Sequence, residues 1–199
     1  MYLLYVIVLA IIVALLRGGR IQNIARHSVR GILLPIAAFL LEAAFPLVFT
    51  YFPQHIPLFL PAIVIAEYLL LFIFFFINRG MLSMLWLALG SLLNFVVISL
   101  NGFKMPVSLD ILNYPKFEEF VLRIKSGELF EYALVTGETK LSFLGDVLYT
   151  PLVPGLSFAS IGDAMLAVGI FLLIQNMMGA GKKKEVSLEE HPTTYFRFK

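Results

Sequence analysis

Five stretches of this chain are too long and too apolar for the surface of a soluble domain: residues 1–16, 31–52, 58–77, 82–100 and 161–178. A helix of about 20 apolar residues crosses a hydrocarbon layer roughly 30 Å thick. Composition says the same. The chain has 199 residues and is 60% hydrophobic, against about 45–50% for a soluble domain. The surplus is concentrated in the five runs. The expected fold class is therefore all-α, a polytopic membrane protein of about five transmembrane helices. Residues 1–100 carry four of them. Residues 101–160 form an extracytoplasmic loop with a short amphipathic helix. Residues 161–178 form the fifth helix, and 179–199 a cytoplasmic polar tail.

The first run has sixteen residues, or about 24 Å of helix, short for a full crossing. A signal peptide would carry its basic residues before the apolar part. Here they follow it, so the run reads as a retained helix. Ala10 and Ala14 give it a small face for close packing. Residues 17–30 then carry four arginines and no acid. With Arg79 and the lysines after Gly181, these charges fall on one side of a five-helix protein. The positive-inside rule makes that side cytoplasmic, with the N-terminus out and the C-terminus in. The loop at 101–160, with five basic and seven acidic residues, is then outside.

Polar residues inside the apolar runs mark candidate sites, because a carboxylate at mid-helix costs about 2.5–3.5 kcal/mol to insert. Glu42 and Glu67 are such residues. Pro46, four residues after Glu42, removes the helical partner of the Glu42 carbonyl. Gly90, Ser91, Asn94 and Asn101 recur at helical spacing and predict a small, polar face turned into the bundle. Gly162, Gly169 and Asn176 recur every seven residues and predict another. Glu42, Glu67, Asn94 and Asp163 are expected to line one cavity open to the outer loop. The expected ligand is a cation, a proton or a polar head group. Without one, the carboxyls would be protonated and bonded to Asn94 or the Glu42 carbonyl.

Ser160 and Asp163 match a capping box at the start of the last helix. Asp146 follows Gly145 with no comparable cap. An aspartic pair or metal site from Asp146 and Asp163 is the sharper alternative. In the loop, residues 115–124 predict an amphipathic helix with Phe117, Phe120, Val121 and Ile124 on one face. Residues 128–135 read as a second short helix or as one arm of a hairpin turning at Thr136-Gly137. Residues 149–155 read as an extended, re-entrant segment. Residues 72–76 read as lipid-facing bulk.

With no cysteine, disulfides and thiolate chemistry are excluded. His27, His55 and His191 are scattered, and no zinc, phosphate-loop or nucleophile-elbow motif is present. Nothing points to nucleic acid, and no cofactor is specified.

The block Asn101-Gly102-Phe103-Lys104-Met105-Pro106-Val107, with Asn94 before it and Leu144-Gly145-Asp146 and Ser160-Ile161-Gly162-Asp163 after it, resembles a family of small bacterial multi-pass membrane proteins known as a domain of unknown function. Phe103 stands where the family usually has a second glycine. The resemblance implies a protein of the bacterial cytoplasmic membrane and carries no catalytic role. The expected function is a non-enzymatic subunit or binding protein of a membrane complex. Its partners are the bilayer, a membrane protein, and a lipid, quinone or small polar ligand. Glu42, Glu67, Asn94, Asn101, Asp146 and Asp163 are the ligand-binding candidates. A small-molecule transport component and an enzyme using Asp146 and Asp163 are the alternatives.

Overall fold

The computed structural model describes residues 2–26, 29–150 and 158–179. The chain is mostly helical. Helix α1 spans Tyr2–Leu16, α2 Leu33–Tyr51, α3 Ile56–Ile77 and α4 Leu82–Leu100. After these come strand β1 at Met105–Val107, helix α5 at Glu118–Lys125, strand β2 at Tyr132–Leu134, strands β3 at Leu148–Tyr149 and β4 at Phe158–Ala159, and helix α6 at Ile161–Met178. Four helices, α2, α3, α4 and α6, are long and apolar enough to span a membrane; α1 is apolar but shorter.

The long helices pack in the order α2, α3, α4, α6, α1. Successive contacts fix their directions. Gly162 meets Gly90 and Gly169 meets Leu87, so α6 runs antiparallel to α4. The Arg20 amide donates to the Met178 carbonyl at 2.9 Å, and the Gln175 side chain donates to the Ala10 carbonyl at 2.8 Å. Helix α1 therefore runs parallel to α6. At this end Asn78 closes α3. Its side chain donates to the Phe74 carbonyl at 2.9 Å and to the Arg30 carbonyl at 2.8 Å, and accepts from the Arg30 amide at 3.0 Å. Arg17, Arg20, Arg30 and Arg79 thus share one end of the bundle, and the loop subdomain occupies the other.

Helix α3 begins at Ile56, earlier than the sequence implies. Pro57 takes the first turn, where proline is tolerated, and Pro61 sits inside the helix. The phenylalanine run is not all lipid-facing: Phe74 and Phe75 are buried against Met84 and Leu87, while Phe76 is exposed. The small faces behave as patterning predicts at Ala10, Ala14, Gly90, Ser91, Asn94, Gly162 and Gly169, all buried. Asn176 is the exception. It is exposed, and Gln175 is buried instead, because a straight helix drifts about 20° per seven residues and α1 meets the neighbouring position.

The loop subdomain departs from an all-α reading. Strand β1 pairs in parallel with β2, Met105 opposite Tyr132 and Val107 opposite Leu134. Val107 also bridges Asp146 on its other side. Residues 128–135 are thus neither a helix nor a hairpin arm, because their partner lies a crossover away through α5. Strands β3 and β4 pair antiparallel. The amphipathic helix is present as a turn at Pro115–Phe117 followed by α5. Val121 and Ile124 on its inner face join Val107, Ile111 and Phe158 in a small core. Tyr149 stacks on Tyr114 with ring centroids 4.3 Å apart. The rest of the expected re-entrant segment, residues 151–155, and the polar tail from 180 onward lie outside the described residues.

Two backbone positions anchor the loop to the helices. Phe103 has φ 62, a left-handed conformation costing an ordinary residue about 1–2 kcal/mol. Phe103 offsets the strain by packing with Phe130 on the cluster of Phe49 and Leu60. Gly145 passes so close to β1 that a Cβ would stand 2.4 Å from the Pro106 carbonyl oxygen. Only glycine allows the Asp146 amide to donate to that oxygen at 2.8 Å.

Candidate functional site

The sequence candidates divide into two groups. Asn94, Asp163 and Ser160 form a closed node where α4 crosses α6. Asn94 donates to Asp163 Oδ1 at 3.0 Å and accepts from the Ser160 hydroxyl at 2.8 Å. Asp163 Oδ2 accepts from the Ser160 amide at 3.1 Å, and the Asp163 amide donates to the Ser160 hydroxyl at 2.8 Å. The expected capping box is therefore present. It is welded to α4 through Asn94, which bonds to Ser160 and Asp163 rather than to Glu42 or Glu67. Asn101 plays a similar tying role. Its side chain donates to the Val97 carbonyl at 2.7 Å and to the Lys140 carbonyl at 2.8 Å, and accepts from the Lys140 amide at 2.9 Å.

The second group is a set of carboxyls on α2, α3 and the loop, with Glu42 exposed and Glu67 and Glu131 half-buried. Glu42 on α2 lies 9 residues before the end of its helix at Tyr51, about 14 Å below it. Glu67 on α3 lies 11 residues from Ile56, about 16 Å down the neighbouring helix. Glu42 and Glu131 are the charged neighbours of Glu67. Glu131, just ahead of β2, hangs from the loop above them. Burial first, and the Glu42 carboxylate second, push Glu131 above the usual carboxylate range. Asp146 sits at the inner edge of the same loop. Burial, then the Asp163 carboxylate, raises it from 3.8 to about 8. Its Oδ1 is buried without a hydrogen-bond partner. Tyr132, beside Glu131, reports on the whole set. Burial raises its phenol, followed by Asp146, Glu131, Asp163 and Glu42.

These carboxyls form two sets: Glu42 and Glu131 act on Glu67, with Glu42 also acting on Glu131, while Asp163 acts on Asp146. The charges acting on Glu131 and Asp146 are other carboxylates. Tyr68, next to Glu67 in sequence, packs on Phe95 with centroids 5.0 Å apart, and Phe130, next to Glu131, meets Phe49 edge to face at 4.3 Å. Among the described residues no group of three acids or histidines is placed to hold a metal ion. Glu131 is the residue that sequence reasoning missed. Its signal was an acid inside the apolar alternation Phe130-Glu131-Tyr132-Ala133-Leu134, which marks a half-buried strand edge.

The fold defines a mostly helical protein with four helices long and apolar enough to cross a membrane. The chain belongs to the DUF5317 family, a family of unknown function whose profile matches residues 26–175. An uncharacterized protein of Thermotoga maritima is 27% identical over 169 residues, covering 84% of this chain and 86% of that one. No solved structure matches.

Proposed function

We propose that this is a non-enzymatic binding protein of the bacterial cytoplasmic membrane, acting alone or as the subunit of a complex, and that its outward carboxyls take a small cationic ligand. In this reading the arginine-bearing end is cytoplasmic and the loop subdomain faces out, with α1 as a fifth crossing. The observation that carries the reading is the grouping of the carboxyls. Glu42, Glu67 and Glu131 come from three separate segments, yet their electrostatic neighbours are one another. Gathering like charges at partly buried positions costs energy that a cation or protons offset. The neighbouring aromatic rings suit an organic cation, which gains from ring faces as well as from carboxylates. An enzyme using Asp146 and Asp163 draws less support, because both Asp163 oxygens already accept bonds from Asn94 and Ser160.

The test is thermal unfolding in neutral detergent at fixed ionic strength, with sodium, magnesium or spermidine as probes. One of them is expected to raise the unfolding midpoint, and Glu67→Gln with Glu131→Gln to abolish the rise. Equal midpoints for all probes, or a rise that survives in the double variant, would remove the proposal.

A further inference from the structure

A recess lies at the opposite end of the bundle, remote from the carboxyls. Between α3 and α4 a cavity of ≈ 280 Å³ is lined by Phe72, Phe75, Phe76, Met84, Leu85 and Ala88, together with Arg79. The guanidinium of Arg79 stands 4.6 Å from the Phe76 ring centroid. The surrounding surface is apolar and open: Phe76, Ile77, Leu82 and Leu85 are all exposed. Arg79 itself is exposed and has no ion-pair partner among the described residues. Residues 1–41 and 68–109 contain no acid at all. An arginine on an apolar surface keeps its stem against hydrocarbon and its head toward polar groups. A guanidinium there binds phosphate through paired N–H groups.

We infer that this cavity seats an acyl chain of an anionic phospholipid whose phosphate rests on Arg79. Two features select that occupant together. Six apolar side chains line the cavity, which a free phosphate would leave unused. The unpaired cation at the cavity favours a lipid of net negative charge over a zwitterionic one, whose own ammonium competes for the phosphate. Arg17, Arg20 and Arg30 share this end of the bundle and add to its attraction for anionic lipid. The inference is independent of what the carboxyls bind.

Thermal unfolding of the full chain in neutral detergent tests it. Phosphatidylglycerol is compared with phosphatidylcholine of the same acyl chains, and with inorganic phosphate. At a hundredfold excess over Kd, phosphatidylglycerol is expected to raise the midpoint by roughly 5 °C more than phosphatidylcholine. Inorganic phosphate is expected to give no rise. Arg79→Gln, a change at an exposed residue, is expected to erase the difference between the two lipids. Ala88→Phe, which fills the cavity, is expected to lower phosphatidylglycerol retained in native mass spectrometry about tenfold. Equal shifts for the two lipids in the unaltered protein overturn the inference, as does a lipid preference that persists in Arg79→Gln. A shift from inorganic phosphate equal to that from phosphatidylglycerol also overturns it, by making the site one for a free anion.

Discussion

Gly162→Ala tests how α4 and α6 meet. A Cβ at that position would stand 2.0 Å from Asn94 Oδ1 and 2.7 Å from the Gly90 carbonyl oxygen. Rotating Asn94 relieves the first clash, but the second is with backbone and forces the helices apart. Overpacking of this kind costs about 1–3 kcal/mol. The displaced amide also gives up its bonds to Asp163 and Ser160, at about 0.5–1.5 kcal/mol each. The expected loss is therefore about 2–6 kcal/mol. Unfolding in mixed micelles, followed by the fluorescence of Trp86, the single tryptophan, measures it. Gly80→Ala is the control, because a Cβ there meets nothing within 4 Å; it is expected to fall within about 0.5 kcal/mol of the parent. Combining Gly162→Ala with Asn94→Ala removes the side-chain clash and leaves the backbone one. The double variant should therefore lose less than the sum of the two singles. A Gly162→Ala protein within about 1 kcal/mol of the parent would refute the crossing described here.

Asp146 gives a pH dependence with a defined sign. Its folded value, raised from 3.8 to about 8, means that between those values the native state keeps a proton the unfolded chain has released. Stability should fall as pH rises through that window, and Asp146→Asn should flatten the profile. Parallel profiles for the two proteins, measured as unfolding midpoint against pH, would contradict the burial assigned to this carboxyl. Topology is open to labelling because the chain has no cysteine. Single cysteines replacing His55 or Lys104 should react with an impermeant thiol reagent from outside intact cells, and one replacing Arg79 only after permeabilisation. Outside labelling at the Arg79 position would reverse the proposed orientation.

The helices were legible because a membrane-length apolar run has few other uses. The capping box at Ser160 and Asp163 was legible because it is local in sequence. What the sequence hid was pairing at a distance. Asn94 presents an amide that suits any buried acceptor. That it takes Ser160 and Asp163 depends on Gly90 and Gly162 bringing two backbones together, which no single segment records. The parallel pairing of β1 with β2 was equally hidden, since strands of three residues carry almost no periodicity and their partnership depends on α5 between them. Glu131 looked like one acid among several in a polar loop. Its place above Glu67 follows from that same pairing, which turns the start of β2 toward the helices.

The clasp between α1 and α6 also has a consequence for how the protein is made. The bonds that hold α1 span 155 to 165 positions of sequence. At a ribosomal rate of about 5–20 residues per second, α1 waits on the order of ten to thirty seconds before its partner emerges. During that time a helix of 15 residues has Ala10 and Ala14 bare, without the α6 neighbour that packs on it. A chain released before α6 is complete therefore leaves an unclasped first helix.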